Sequence, residues 1–337
     1  MIEKTQCPLP HGITLSCRTA GRVGRPVLMF LHGFPEAAFV WDDVLTHFAR
    51  PENGGYRCIA PNLRGYENSS APAEVAAYRP KFLVQDLAAL IALEGGHLAA
   101  LVAHDWGGAV AWNLAASQPG LMDKLAIINS PHPGTFLREL QQSPAQQAAS
   151  AYMNFLIRPD AEALLAENDF RRLWEFFDQW SAGMSPAWLT QSVKDQYRAV
   201  WTQGLTGPLN FYRASPLRPP RPGPPHHDPA AAAVTIPRNL LDVHVPTLVL
   251  WAMNDTALPP AMLDGLEDFV PRLQLERIEG ASHWVLHEQP ERVINALQVF
   301  LQSAPLFIAR QAVKTWTSEL KRLEKTFSAP RHGERCQ

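Results

Sequence analysis

The sequence has too little charge of either sign to define an electrostatic role. Only 18% of its 337 residues are charged, 30 Lys and Arg stand against 32 Asp and Glu, and the formal net charge is −2. That balance provides neither the basic field that binds nucleic acid nor a polyanionic tail. Long hydrophobic runs are missing too. The longest, Val27 to Leu31 and Thr247 to Trp251, are strand-length and far short of the ~18 apolar residues of a membrane span. The amino-terminal stretch Met1 to Pro8 has no apolar h-region, so no signal peptide is expected. Cysteine is scarce: Cys7, Cys17, Cys58 and Cys336 show no Cys-x-x-Cys spacing, which fits reduced thiols in a cytoplasmic protein rather than a disulfide framework or zinc site. The pair His226-His227 beside Asp228 lacks further ligands in register, and no metal is expected. No Gly-x-Ser-x-Gly occurs anywhere, which disfavours a serine esterase.

Proline, by contrast, is abundant. Thirty of 337 residues is about 9%, against a usual ~5%. Seven of these prolines lie between Pro216 and Pro229, a stiff, polyproline-like excursion. Elsewhere, β-rich runs alternate with helix-period segments. The runs are Ile13 to Cys17, Val27 to Leu31, Arg57 to Ala60, Leu98 to Ala103, Ala126 to Asn129, Thr247 to Trp251 and Leu273 to Ile278. The middle ones are continuously apolar, as strands covered on both faces are, which predicts a mostly parallel α/β sheet. Helices are expected at Phe82 to Leu93, Trp106 to Ser117 and Pro290 to Gln302.

Between Pro133 and about Thr235 the strand signal vanishes and aromatic-rich helical segments take over, at Tyr152 to Phe155, Leu164 to Ala166, Phe170 to Trp180 and Val193 to Trp201. The expected organisation is therefore a core in two parts, 1–133 and 236–302, interrupted by a helical cap, 134–235, whose far end is the proline-rich loop 216–229. A helical extension, 303–337, follows. Its apolar stripe of Leu306, Ala309, Val313, Trp316, Leu320, Leu323 and Phe327 must bury against the protein's own surface or against a second copy in a homodimer.

The chemistry concentrates in three places. The run Leu98 to Ala103 leads through His104-Asp105-Trp106-Gly107-Gly108 into a helix. This is the layout of a nucleophile elbow, a sharp strand-to-helix turn that needs small residues two before and two after its apex. Ala103 and Gly107 meet that requirement, and the apex is Asp105. An orienting carboxylate and a base are then expected later in the chain, in that order. Asp255 follows the strand ending at Trp251, and His283 follows the strand Leu273 to Ile278, 28 residues beyond Asp255. All three fall on one sheet edge, where open α/β sheets bind ligands. His104, His132 and His287 lack such placement and are read as supporting or surface residues. Upstream, His32-Gly33-Phe34-Pro35-Glu36 is a tight loop whose Phe34 backbone N–H, with that of Trp106, would form an oxyanion hole.

Taken together these motifs resemble the α/β-hydrolase superfamily and, within it, the epoxide hydrolases, over residues 10–302. The specific matches are His32-Gly-Phe-Pro-Glu36, Leu63-Arg-Gly-Tyr66, His104-Asp-Trp-Gly-Gly108, Tyr152-Met153 and Leu209-Asn-Phe-Tyr212-Arg213. The resemblance implies two cap tyrosines, Tyr152 and Tyr212, that hold the epoxide oxygen, and no cofactor. The pocket is expected to draw on His32, Pro35, Trp106, Phe155 and Trp284. Two residues depart from the family pattern. Asn62 stands where Asp is common, which alters the hydrogen-bond network near Arg64, and Glu67 stands where Gly is common.

The chemistry suits an epoxide. Its ring carbon is an sp³ electrophile that the carboxylate of Asp105, ionised at neutral pH, can attack unaided. The tyrosines would protonate the alkoxide, and His283, oriented by Asp255, would activate water to hydrolyse the ester. A small apolar or aromatic epoxide and water are the expected partners. The same Asp-His-Asp set serves dehalogenases, but Phe34 carries no side-chain donor for halide, and Trp106 and Ala109 stand where haloacetate enzymes place arginines. A non-catalytic binding protein on this fold is the remaining alternative, and it would not need the complete set.

Overall fold

In a computed structural model of the chain, residues 1–181, 186–221 and 228–303 are described. The expected extension 303–337 lies outside them except for Ser303, as do His226 and His227 of the proline-rich loop. Eight strands form one sheet in the order β1-β2-β4-β3-β5-β6-β7-β8. They are β1 (Glu3–Pro8), β2 (Thr14–Ala20), β3 (Val27–Leu31), β4 (Arg57–Pro61), β5 (Ala100–His104), β6 (Leu125–Ile128), β7 (Thr247–Ala252) and β8 (Leu273–Ile278). β1 and β2 run antiparallel to their neighbours, and the rest pair in parallel.

The continuously apolar strands reflect helices on both faces. In β3, Leu28 and Phe30 share a core with Val44, Leu45 and Phe48 of α1 (Asp42–Ala49). Val27, Met29 and Leu31 point the other way, into the core holding Leu87, Leu90 and Ile91 of α2 (Pro80–Leu93) and Val110 and Leu114 of α3 (Asp105–Ser117). Each successive side chain is buried on an opposite face.

Strand β1 was not anticipated from the sequence. Its residues Glu-Lys-Thr-Gln-Cys-Pro are largely exposed, as an edge strand paired on one side can be.

From β6 the chain enters α4 (Pro133–Gln142), α5 (Pro144–Ala149), α6 (Tyr152–Leu156), α7 (Ala161–Gln179), α8 (Gln191–Trp201) and α9 (Thr206–Ala214) before returning to β7. No strand is described between β6 and β7, only an isolated bridge joining Arg221 to Asp228. Helix α7 breaks at Glu167–Phe170, where Asn168, Asp169 and Phe170 take φ of +52°, +56° and +59°. The two flanking helical runs are those expected at Leu164 to Ala166 and Phe170 to Trp180. The described ends of the proline-rich segment are clasped together, since Arg218 and Arg221 lie 2.6 and 3.0 Å from the Asp228 carboxylate. Among the described residues, two further helices follow β8, α10 (Val285–Glu288) and α11 (Pro290–Gln302). Among the described residues no helix is long and apolar enough to cross a membrane.

Strand order reverses between β3 and β5, because the chain steps outward from β3 to β4 and then crosses back to β5. Such a switch point leaves a crevice beyond the carboxyl ends of the two strands. The loop after β3 and the turn after β5 face each other there, and they carry Phe34 and Asp105.

Candidate active site

Asp105 opens α3 with φ of +48°, a left-handed conformation that costs energy for any residue but glycine. Close packing holds it there. A Cβ on Gly107 would meet the His32 carbonyl and Leu31, and one on Gly33 would overlap the Asp105 carboxylate itself. The Ser130 hydroxyl donates to the Asp105 backbone carbonyl at 2.6 Å. The sharp turn lifts the Asp105 side chain toward the cavity, 14% exposed.

The two carboxylate oxygens of Asp105 face different partners. Oδ1 accepts a hydrogen bond from the Phe34 backbone N–H at 2.7 Å. Oδ2 lies 3.7 Å from His283 Nε2, longer than a hydrogen bond. Trp106, the second residue of α3, contributes a first-turn N–H that has no partner within the helix. On the far side of the imidazole, His283 Nδ1 lies 2.7 Å from Asp255 Oδ2. That hydrogen bond fixes the tautomer and leaves Nε2 facing Asp105 without a hydrogen-bond partner of its own.

Asp255 is in turn held by groups that motif reasoning missed. The N–H groups of Ala257 and Leu258 donate to its Oδ1 at 2.9 Å each. Asn129 Nδ2 donates to Oδ2 at 2.8 Å, while Asn129 Oδ1 accepts from Ala252 N–H at the end of β7. Asn129 itself has φ of +39°. An asparagine directly after an apolar strand, a residue type that tolerates this conformation, is the signal that marks it.

A buried polar cluster lies behind the triad. Glu36, 1% exposed, accepts from the Tyr197 hydroxyl of α8 at 2.7 Å and lies 2.7 Å from His287 Nε2 and 3.4 Å from His104 Nδ1. His104 Nε2 reaches the His283 backbone carbonyl at 3.0 Å. Of the three histidines read as supporting or surface residues, His104 thus ties Glu36 to the backbone of the base, His287 pairs with Glu36, and His132 reaches the Leu241 carbonyl at 2.8 Å instead.

Tyr212 stands over the oxyanion region, with its ring centroid 5.0 Å from Trp106 and 5.2 Å from Phe34. Tyr152 lies 6.2 Å from Tyr212, ring to ring. Burial, reinforced for both by the Asp105 charge, pushes both phenols above their ordinary range, so they stay protonated donors.

A cavity of about 240 Å³ reaches the Asp105 carboxylate, and Tyr152 and Trp106 are in its wall. Four other residues expected in the pocket do not line it. His32 is turned into the core, where its Nε2 accepts from Leu63 N–H. The Pro35 carbonyl accepts from Trp201 Nε1, Phe155 packs beneath Arg158, and Trp284 is fully buried with its indole donating to the Phe177 carbonyl. Sequence neighbours of reacting residues point to other faces of their segments, so proximity in sequence did not place them on the wall. The network near Arg64 also differs from expectation. Asp86 closes it with two hydrogen bonds at 2.6 and 2.8 Å, while Asn62 Oδ1 accepts from Ala38 N–H.

Titration of His283 follows from this geometry. Burial disfavours its charged form, but Asp255, Asp105 and Glu36 outweigh burial and raise it to about 9. A folded value above the unfolded 6.5 stabilises the fold fully below pH 6.5, and this contribution is lost as pH rises through 9. Its size is on the order of 3 kcal/mol. The difference in Tm between the native protein and the His283→Gln variant should therefore shrink from pH 6.5 to pH 9. A constant difference, read from calorimetric melts, would show that His283 is not charged in the folded protein.

Comparison with known proteins agrees with this architecture. Residues 26–290 match the family described as alpha/beta hydrolase fold. The chain is 34% identical to the AB hydrolase superfamily protein YfhM of Bacillus subtilis, over 89% of this chain and 98% of that protein. It is 32% identical to human epoxide hydrolase 4, over 86% of this chain and 76% of that one. A solved structure from work on novel epoxide hydrolases in metagenomes from hot environments superposes with a TM-score of 0.79 at 37% identity, covering 90% of this chain and 100% of the other. A parallel sheet reversing between β3 and β5, a left-handed aspartate at the elbow and these relatives converge: the chain belongs to the α/β-hydrolase fold family, in its epoxide hydrolase branch.

Proposed function

We propose that this protein hydrolyses a small apolar or aromatic epoxide to a vicinal diol through an ester on Asp105, with residues 134–235 serving as the lid and no cofactor taking part. The observation that carries the proposal is the division of labour at the Asp105 carboxylate. Oδ1 is held by the Phe34 N–H, and Oδ2 is left facing the base.

In the first half-reaction Oδ2 attacks a ring carbon. The C–O bond breaks, and Tyr152 or Tyr212 gives its proton to the departing oxygen. Asp105 is now an ester whose carbonyl oxygen is Oδ1, already at the Phe34 N–H. In the second, His283 Nε2 takes a proton from water as the water oxygen attacks Cγ. The Phe34 and Trp106 N–H groups hold the oxyanion that develops. Collapse expels the diol oxygen, which takes the proton from His283, and the second proton of the water, left on the Asp105 carboxyl, returns to the phenolate, restoring both groups. Forming the ester also removes the Asp105 charge, one of the influences that keep His283 protonated. More of the imidazole is thus neutral, and free to accept a proton, at the step that needs it.

A single turnover with excess enzyme in ¹⁸O-labelled water tests the route. Label should enter the Asp105 carboxylate, read by peptide mass spectrometry. Label appearing first in the diol would exclude the ester. Halide displacement uses the same triad logic, but Phe34 offers halide only its backbone.

A further inference from the structure

The reacting end of the cavity does not by itself define what the substrate carries at its other end. The wall follows one face of α3, through Asp105, Trp106, Ala109, Val110 and Asn113, positions that helical periodicity brings into line. Asn113 is thus about 12 Å along the helix axis from the nucleophile. Ala109 keeps the floor low between them. Near Asn113 the wall reaches the surface, where Pro80 and Leu240 are exposed.

Away from the reacting end, three other polar groups on this wall are committed to the fold. The Tyr78 hydroxyl donates to the Pro72 carbonyl, the Ser130 hydroxyl to the Asp105 carbonyl, and Ser215 Oγ accepts from Leu217 N–H. Asn113 differs. Its Nδ2 donates to the Ala109 carbonyl at 2.8 Å, which fixes the orientation of the carboxamide. Its Oδ1 makes no hydrogen bond among the described residues. No Lys, Arg or His is among the residues lining this cavity.

We infer that Asn113 is a specificity-determining residue whose free carboxamide oxygen accepts a hydrogen bond from a hydroxyl or amide N–H on the distal end of the substrate. The inference rests on the epoxide reading above and narrows it. The substrate class is a neutral epoxide with an apolar body that ends, roughly 10 Å from the ring, in a hydrogen-bond donor. A cationic end would gain no carboxylate partner there and an anionic end no cation. A purely hydrocarbon end would cover the acceptor without giving it a partner, the circumstance in which a polar site rejects its apolar analogue.

Matched substrates test this. 4-(3-Hydroxypropyl)styrene oxide, whose hydroxyl reaches that distance when extended, and 4-butylstyrene oxide have nearly the same shape and differ in one donor. The protein should prefer the hydroxyl compound in kcat/KM by about 2- to 10-fold. Asn113→Leu, which keeps the branching at Cγ but carries no acceptor, should abolish or invert that ratio, and Asn113→Ala gives the same readout should the leucine variant fold poorly. The ratio within each variant is insensitive to general damage, which a merely structural role for Asn113 would produce. Equal kcat/KM for the two compounds in the native protein, or a preference that survives both substitutions, overturns the assignment to Asn113 while leaving the epoxide reading intact. Turnover of neither compound overturns that reading and this inference with it.

Discussion

Replacing His283 by Gln is expected to cut steady-state turnover by about 10³-fold or more, while the first half-reaction still runs and fills the enzyme with ester. The two halves have different requirements. Attack on the epoxide needs an ionised carboxylate, and a carboxyl group supplies one at neutral pH without help from a base. Hydrolysis of the ester needs a proton taken from water beside the ester carbonyl, and Nε2 of His283, with no hydrogen-bond partner of its own, sits 3.7 Å from the Asp105 carboxylate. Gln occupies a similar volume but cannot take a proton. Intact-protein mass spectrometry after mixing with substrate should show an increase equal to one substrate, and peptide mapping should place it on Asp105. An adduct elsewhere would remove Asp105 as the nucleophile. A slow variant that never accumulates an adduct would remove His283 as the base, because ring opening would then be the step it serves.

Much of this site is legible from the sequence because the constraints that build it are local. A strained strand-to-helix turn admits only small neighbours, so Ala103 and Gly107 announce the elbow at Asp105. Asp255 and His283 follow because the carboxyl ends of parallel strands share one edge, which makes any polar residue just after such a strand a neighbour of the others.

What sequence reasoning missed depends on facing and on distant pairing. Asn129 acts through Asp255, 126 residues away. Glu36 lies inside a recognised motif, yet its partners Tyr197 and His287 come from α8 and α10, and no spacing rule links them. The expected pocket residues failed for the first reason. Phe155 and Trp284 are close in sequence to Tyr152 and His283, but only packing decides which face of a short helix or turn meets the cavity. At Asn62 the partner was equally out of sequence reach: its carboxamide oxygen accepts from Ala38 N–H, while Arg64 is held by Asp86, 22 residues away.

The double substitution Tyr152→Phe, Tyr212→Phe should slow ring opening by about 10²- to 10⁴-fold, the usual worth of positioned acid catalysis. Each single substitution should cost far less than the square root of that loss. The two rings are 6.2 Å apart over the same carboxylate, so the remaining phenol can take over protonation, and residues that share a task do not contribute additively. Both hydroxyls are held protonated by burial and by the Asp105 charge, which keeps the proton available throughout the range in which the enzyme would work. The rate of ester formation, followed by rapid quench in the His283→Gln background, isolates this step from hydrolysis. It should stay level with pH through neutrality and beyond 9 in the presence of both tyrosines, since neither phenol ionises there. Ester formation at an undiminished rate in the double variant would mean that water entering the cavity protonates the alkoxide, and the tyrosines would then be packing residues of the lid. A rate that falls in the double variant and recovers with epoxides bearing strongly electron-withdrawing groups, whose alkoxides need a proton less, would identify the lost interaction as protonation of the departing oxygen and separate it from a change in cavity shape.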